Sequence, residues 1–294
     1  MSSIESKLLS SILKYSNFKA YIDKVFDKEE FGKNDINQPP KRLYQNFNVD
    51  KDQTNGRNTF TISPKSKGSK TYILYLHGGA YINGFNRMHW NFFNRLINAT
   101  NCTIIAPDYP VAPKYTYKDS FEMVKPIYKK LVSKVGGENI ILMGDSSGGG
   151  FALALAQNMR EDNIENAKQI ILLSPWLDIT MKNKDISLID SIDPILSISG
   201  LIRAGKAYAG DTNPNNYLLS PINGPIDGLG KISIFIGTKD VLEADSRKFK
   251  LRAEEENVKI NYCEYKDMIH VWIFFNLPES KQAIEKIVSL INSN

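Results

Sequence analysis

Residues 140–150 leave this chain few folds to adopt. Ile140–Met143 is a short apolar run, the length of one buried strand. Gly144-Asp145-Ser146-Ser147-Gly148 follows, a Gly-x-Ser-x-Gly pentapeptide, and Phe151–Met159, rich in Ala and Leu, reads as helix. A strand that enters a helix through so short a turn forces strained backbone angles on Ser146 and brings its neighbours close. Gly144 and Gly148 leave the room for that approach. The Ser146 hydroxyl then stands exposed over the positive end of the helix, which is the geometry of a nucleophile elbow. Gly-Ser-rich turns produce the pentapeptide by chance, so its setting between strand and helix carries the reading. The Gly-Asp-Ser-Gly-Gly motif of trypsin-like proteases is a near match, but Ser147 interrupts it. That fold is also nearly all strand, whereas this chain alternates strands with helices.

The alternation runs through most of the sequence. Strands are predicted at Thr71–Leu76, Cys102–Ala106, Gln169–Leu173, Lys231–Ile236 and Lys259–Tyr265, with helices around Met88–Thr100, Tyr117–Val135, Glu243–Glu256 and Glu279–Ile291. Such alternation implies an α/β fold, a mostly parallel sheet with helices on both faces. Chemistry in these sheets lies beyond the carboxyl ends of the strands. Gly78, Ser146, Trp176, Asp240 and His270 each follow a predicted strand, so they should gather along one edge. Two more strands are expected near Arg42–Val49 and Asn58–Ser63, with an Asn55-Gly56 turn between them. Two regions depart from the alternation. Residues 4–30 read as helix with apolar faces, expected to pack on the protein's own body. Residues 179–225 hold short helical pieces among Asn, Pro, Gly and Ser and read as an insertion over the sheet.

Composition narrows the partners. The 294 residues carry 37 basic and 32 acidic side chains, a mild net charge of +5 without a long basic run, so a nucleic-acid partner is not expected. Residues 4–30 show no basic stripe, and no apolar run approaches the ~20 residues of a membrane span, so no membrane partner is expected either. Glu5 and Lys7 interrupt any signal-peptide core. The two cysteines, Cys102 and Cys263, form no disulfide framework or metal spacing. A cytoplasmic location without metal or organic cofactor is the expectation, and an oligomer is compatible with the sequence.

A serine hydroxyl needs a neighbouring base, and histidine suits that work near neutral pH. The chain has three: His77, His89 and His270. His77 precedes Gly78-Gly79, whose backbone offers free N–H groups at a strand end, and is expected to hold that loop. His89 has no motif around it and reads as structural. His270, in the loop after the last predicted strand, is the candidate base. The acid that orients it has several contenders. Asp240 directly follows a strong strand. Asp245 sits in the next helix, Asp178 leads into the insertion, and Asp267 is close enough to His270 to hold its loop instead. Asp240 is the choice, and the order Ser, Asp, His is that of α/β-hydrolases.

These residues resemble the hormone-sensitive-lipase-like esterases of the α/β-hydrolase superfamily over about residues 70–275. His77-Gly78-Gly79-Ala80 resembles that family's His-Gly-Gly-Gly loop, and Asp108-Tyr-Pro-Val-Ala-Pro113 its Asp-Tyr-Arg-Leu-Ala-Pro segment. Gly144-Asp-Ser-Ser-Gly-Gly149 resembles its Gly-Asp-Ser-Ala-Gly-Gly elbow, and Ser174-Pro-Trp176 and Asp240-Val-Leu242 also match. The resemblance implies an α/β-hydrolase fold with a triad of Ser146, Asp240 and His270. It implies an oxyanion hole from the N–H groups of Gly78, Gly79 and Ser147. It implies a helical cap, built from residues 1–45 and the insertion at about 179–225, over a catalytic domain of residues 46–294. Ala80 stands in place of the third glycine and Ser147 in place of alanine, each keeping its N–H; Lys114 stands where the family often has Glu.

The resulting expectation is a serine carboxylesterase for small, uncharged esters of short or medium acyl chain, working through an acyl-enzyme. Tyr81, Phe85 and Trp176 are expected to line its pocket, unless they simply pack beneath the cap. An amidase, peptidase or lactonase would use the same triad. A non-catalytic small-ligand receptor, which the family also resembles, would lack the histidine that this chain has at position 270.

Overall fold

A computed structural model describes residues 2–16 and 18–293. Eight strands form one sheet: β1 (Phe47–Thr54), β2 (Arg57–Pro64), β3 (Tyr72–Leu76), β4 (Thr103–Pro107), β5 (Ile140–Asp145), β6 (Gln169–Leu173), β7 (Lys231–Gly237) and β8 (Ile260–Tyr265). Their order is β1-β2-β4-β3-β5-β6-β7-β8. The β1–β2 and β2–β4 pairs are antiparallel, and every other pair is parallel. The helices are α1 (Ile4–Tyr15), α2 (Tyr21–Asp27), α3 (Lys41–Asn46), α4 (Arg87–Thr100), α5 (Tyr117–Val135), α6 (Ser146–Glu161), α7 (Ile186–Asp190), α8 (Ile198–Ala209), α9 (Glu243–Glu255) and α10 (Pro278–Asn292). Among the described residues no helix is long and apolar enough to cross a membrane.

Side chains of successive strand residues point to opposite faces, so a strand covered on both sides must be apolar throughout. β5 shows this. Ile140 and Leu142 enter a core with Phe121 and Val124 of α5, Leu153 of α6 and Phe249 of α9. Ile141 and Met143 enter a second core with Trp90 and Phe93 of α4 and Ile287 of α10. β5 lies mid-sheet, and its register sets Leu76 opposite Gly144 and Asp145 opposite Leu173. The chain therefore leaves the sheet at neighbouring points after β3, β5 and β6.

The N-terminal region differs from the expectation of one helix. It is divided into α1 and α2, with a 3₁₀ turn at Phe18–Ala20 between them. α1 packs through Leu9 and Leu13, while Ile4, Leu8, Ile12 and Tyr15 stay exposed, so only one of its apolar faces is covered. α2 meets the insertion. The hydroxyls of Ser197 and Ser199 donate to Asp23, and Arg203 pairs with Asp27 at 2.8 Å. Residues 42–46, expected as the first part of a strand over Arg42–Val49, lie in helix α3, which is N-capped by Pro40 and buries Leu43. The expected Asn55-Gly56 turn is present, with φ of 50° and 73°, joining β1 to β2 as a two-residue hairpin.

Candidate active site

Ser146 is the first residue of α6, immediately after β5, and its φ of 53° is the left-handed strain that the sharp turn demands. Its hydroxyl lies 2.9 Å from His270 Nε2. His270 Nδ1 lies 2.8 Å from Asp240 Oδ2, and Asp240 Oδ1 accepts the Leu242 N–H at 3.0 Å. The loops after β5, β7 and β8 thus bring the three expected residues into one hydrogen-bonded line. All three are buried. With Asp240 accepting at Nδ1, the neutral imidazole leaves Nε2 as an acceptor for the serine hydroxyl. Burial works against a charge on His270. The carboxylate of Asp240, backed by Asp193 and Asp145, outweighs it and raises the imidazole above its ordinary value.

The other candidate acids are engaged elsewhere. Asp178 Oδ1 accepts from the Thr180 N–H and the Ser220 hydroxyl. Asp245 Oδ1 accepts from Asn183 Nδ2 at 3.0 Å, inside the contact between α9 and the insertion. Asp267 accepts from the Ser2 hydroxyl and lies 3.9 Å from Lys239 Nζ.

The Gly78 N–H donates to Asp145 Oδ1 at 2.9 Å. It is therefore occupied, contrary to the expectation that it faces a substrate oxygen. Because β3 and β5 are neighbours, Gly78 runs alongside Asp145, and a Cβ on Gly78 would sit 2.2 Å from Asp145 Oδ2. The N–H groups of Gly79 and Ala80 donate to no group among the described residues, and both residues line the same cavity as Ser146. Ser147, in the first turn of α6, also has an N–H without an intrahelical partner. Its hydroxyl accepts the Tyr81 N–H at 3.2 Å, which braces a loop where Ala80 and Tyr81 both take positive φ.

Sequence reasoning missed a network beneath the elbow. Asp145 is buried and accepts from the Tyr75 hydroxyl at 2.8 Å and from Gly78. His89 Nδ1 accepts the Asn86 N–H in the capping box of α4, so its proton sits on Nε2, 3.3 Å from Asp145 Oδ1. Burial disfavours the Asp145 charge; His89, Tyr75 and Gly78 together outweigh it and hold the carboxyl below its ordinary value. His77 is stacked on Tyr109 at 4.1 Å, with Nδ1 2.8 Å from the Gly78 carbonyl. Burial drives its pKa down to about 3, so it stays neutral.

A cavity of about 210 Å³ opens over Ser146. Its apolar walls come from Phe18 and Tyr21 before and in α2, from Ile195, Leu196 and Leu201 of the insertion, and from Val271 and Phe274 after His270. Tyr81, Phe85 and Trp176 do not line it. Tyr81 stacks on Tyr208 at 3.8 Å and lies 5.6 Å from Trp176, and Phe85 packs on His77 and Trp90. All three are fully buried packing residues. The walls come instead from segments with no motif, whose position depends on how the N-terminal region and the insertion meet.

Comparison with known proteins agrees with this geometry. The family described as alpha/beta hydrolase fold matches residues 73–274. An esterase of Acinetobacter venetianus is 31% identical over 234 residues, 78% of this chain and 77% of that protein. An acetyl-hydrolase of Streptomyces hygroscopicus is 28% identical, covering 76% of each. The crystal structure of an esterase from the bacterial hormone-sensitive lipase family superposes with a TM-score of 0.79 at 28% identity, covering 84% of each chain.

Proposed function

The chain belongs to the hormone-sensitive-lipase-like esterases of the alpha/beta hydrolase fold, and from that membership we propose that it is a serine carboxylesterase acting through an acyl-enzyme. The observation that carries the reading is the hydrogen-bonded line Ser146–His270–Asp240 at the carboxyl ends of the strands. His270 Nε2 takes the Ser146 proton as Oγ attacks the ester carbonyl carbon. Asp240 holds the ring and stabilises the imidazolium. The tetrahedral oxyanion is met by the N–H groups of Gly79, Ala80 and Ser147, with Ala80 in the place first expected of Gly78. The alcohol leaves with the proton from His270. Water, activated by the same imidazole, then releases the acid.

The substrate class follows from the cavity. Its small volume and apolar walls suit short or medium acyl chains. Asp35 and Asp145 are among its lining residues, and no Lys or Arg lines it among the described residues, which disfavours anionic esters and suits uncharged ones. The N-terminal segment and the insertion act together as the cap that carries Phe18, Tyr21, Ile195, Leu196 and Leu201 of these walls.

The test is Ser146→Ala. Turnover of a short-chain aryl ester should fall by about 10⁶, as it does when a triad nucleophile is removed elsewhere. Labelling by a fluorophosphonate should vanish while circular dichroism stays unchanged. A folded variant that keeps a tenth of the activity overturns the assignment. A matched aryl amide, measured beside the ester, should turn over far more slowly.

A further inference from the structure

We propose that Asp193 is a positioning residue of this site: its carboxylate ties the cavity wall at Ile195–Leu196 to the Asp240–Val241 peptide and acts behind Asp240 in favouring a positive charge on His270. The proposal rests on the reading of Ser146, His270 and Asp240 as a triad.

Asp193 lies in the insertion between α7 and α8, far in sequence from the three residues it serves, and is 3% exposed. Its Oδ1 accepts the N–H groups of Ile195 at 2.7 Å and Leu196 at 3.0 Å, two residues of the cavity wall. Its Oδ2 accepts the Val241 N–H at 2.9 Å. Val241 follows Asp240 directly, so this bond fixes the peptide from which the Asp240 carboxylate projects. One side chain thereby joins the wall that meets substrate to the loop that orients the base.

The charge matters as well as the anchor. A buried carboxylate beside another is costly unless something needs the field. Burial and the nearby Asp240 raise the Asp193 carboxyl above its ordinary value. His270 is faced by Asp240 from the loop after β7, by Asp193 from the insertion and by Asp145 from the end of β5. Asp193 in turn feels the charge of Asp240. Neither Asp193 nor Asp240 is paired with Lys or Arg among the described residues, and the one ion pair of Asp240 is with His270. The imidazolium formed as Ser146 attacks is thus the cation that both carboxylates serve.

The experiment is Asp193→Asn, which keeps size and an acceptor for Ile195 and Leu196 but removes the charge and the acceptor for the Val241 N–H. The His270 ring is followed by proton NMR across pH without substrate. Its midpoint should fall by about half to one pH unit, the size expected for losing one nearby charge. The acid limb of kcat/KM should move with it, and kcat on the alkaline plateau should fall about tenfold. A folded variant whose His270 midpoint and acid limb both stay at the wild-type position overturns the proposal, whatever its activity, because losing the charge and losing the Val241 acceptor should each move them. Should the Asn variant not fold, Asp193→Ser carries the same readout in a smaller side chain. The NMR titration needs no turnover. A wild-type protein that hydrolyses no ester and resists fluorophosphonate would therefore overturn the esterase reading, while the His270 midpoints still decide the role of Asp193.

Discussion

At the scale of single residues, the site is a set of proton positions. The line from Asp240 through His270 to Ser146 works only with the imidazole neutral, so activity should rise with pH as His270 loses its proton. Because Asp240 and the carboxylates behind it raise that group, the acid limb of kcat/KM should centre above 6.5, the ordinary value for histidine. A pH-rate profile on a neutral aryl ester checks this, and a midpoint at or below 6 would count against His270 as the base. The acid is separable from its rivals by the same assay. Asp240→Asn should lower turnover by about 10⁴, since an amide favours the wrong tautomer. Asp245→Asn and Asp267→Asn should each cost less than tenfold, because Asp245 bonds to Asn183 and Asp267 to Ser2. The ranking of the three purified variants decides the point.

At the scale of elements, the elbow depends on how closely α6 approaches β3. A Cβ on Gly148 would lie 2.1 Å from the Leu76 carbonyl oxygen and 2.4 Å from that of His77, both backbone atoms that cannot turn aside. Gly148→Ala should therefore push α6 off the sheet, costing about 1–3 kcal/mol or more, and displace Ser146 from His270. Thermal unfolding together with turnover tests this; a variant with the wild-type melting point and rate would contradict the packing described. Elements of this kind were legible in the sequence because their signals are local. The apolar run at 140–143, the pentapeptide and the Asn55-Gly56 turn each carry their own geometry. Residues 41–46 were not legible. Lys41-Arg-Leu-Tyr-Gln-Asn46 is too short and too weakly patterned to favour one period over the other, and the local structure goes with burial of Leu43 in the second core.

At the scale of the whole molecule, burial of Asp245 shapes stability against pH. It is fully buried, Oδ2 has no partner among the described residues, and burial raises its carboxyl to about 6. A carboxyl whose folded value exceeds its unfolded one binds protons more tightly when folded. It therefore adds stability below about 4 and loses that contribution as pH rises through 6. Asp245→Asn should raise the stability at pH 7–8 by about 1–3 kcal/mol relative to wild type, with the gain disappearing near pH 4. Denaturant midpoints at the two pH values measure it. The α/β order, the elbow and the placement of Ser146, Asp240 and His270 after strand ends were readable in the sequence, because strand ends and turn chemistry are encoded in neighbouring residues. That the Gly78 N–H is taken by Asp145, with those of Gly79 and Ala80 unpartnered among the described residues, follows from packing across the sheet. The tertiary structure also decided that Tyr81, Phe85 and Trp176 are buried away from the cavity, and that Asp193 reaches Val241 from the insertion. These contacts join segments tens of residues apart, and no local pattern records which backbone amide a distant carboxylate will meet once the sheet, the insertion and the N-terminal helices have packed.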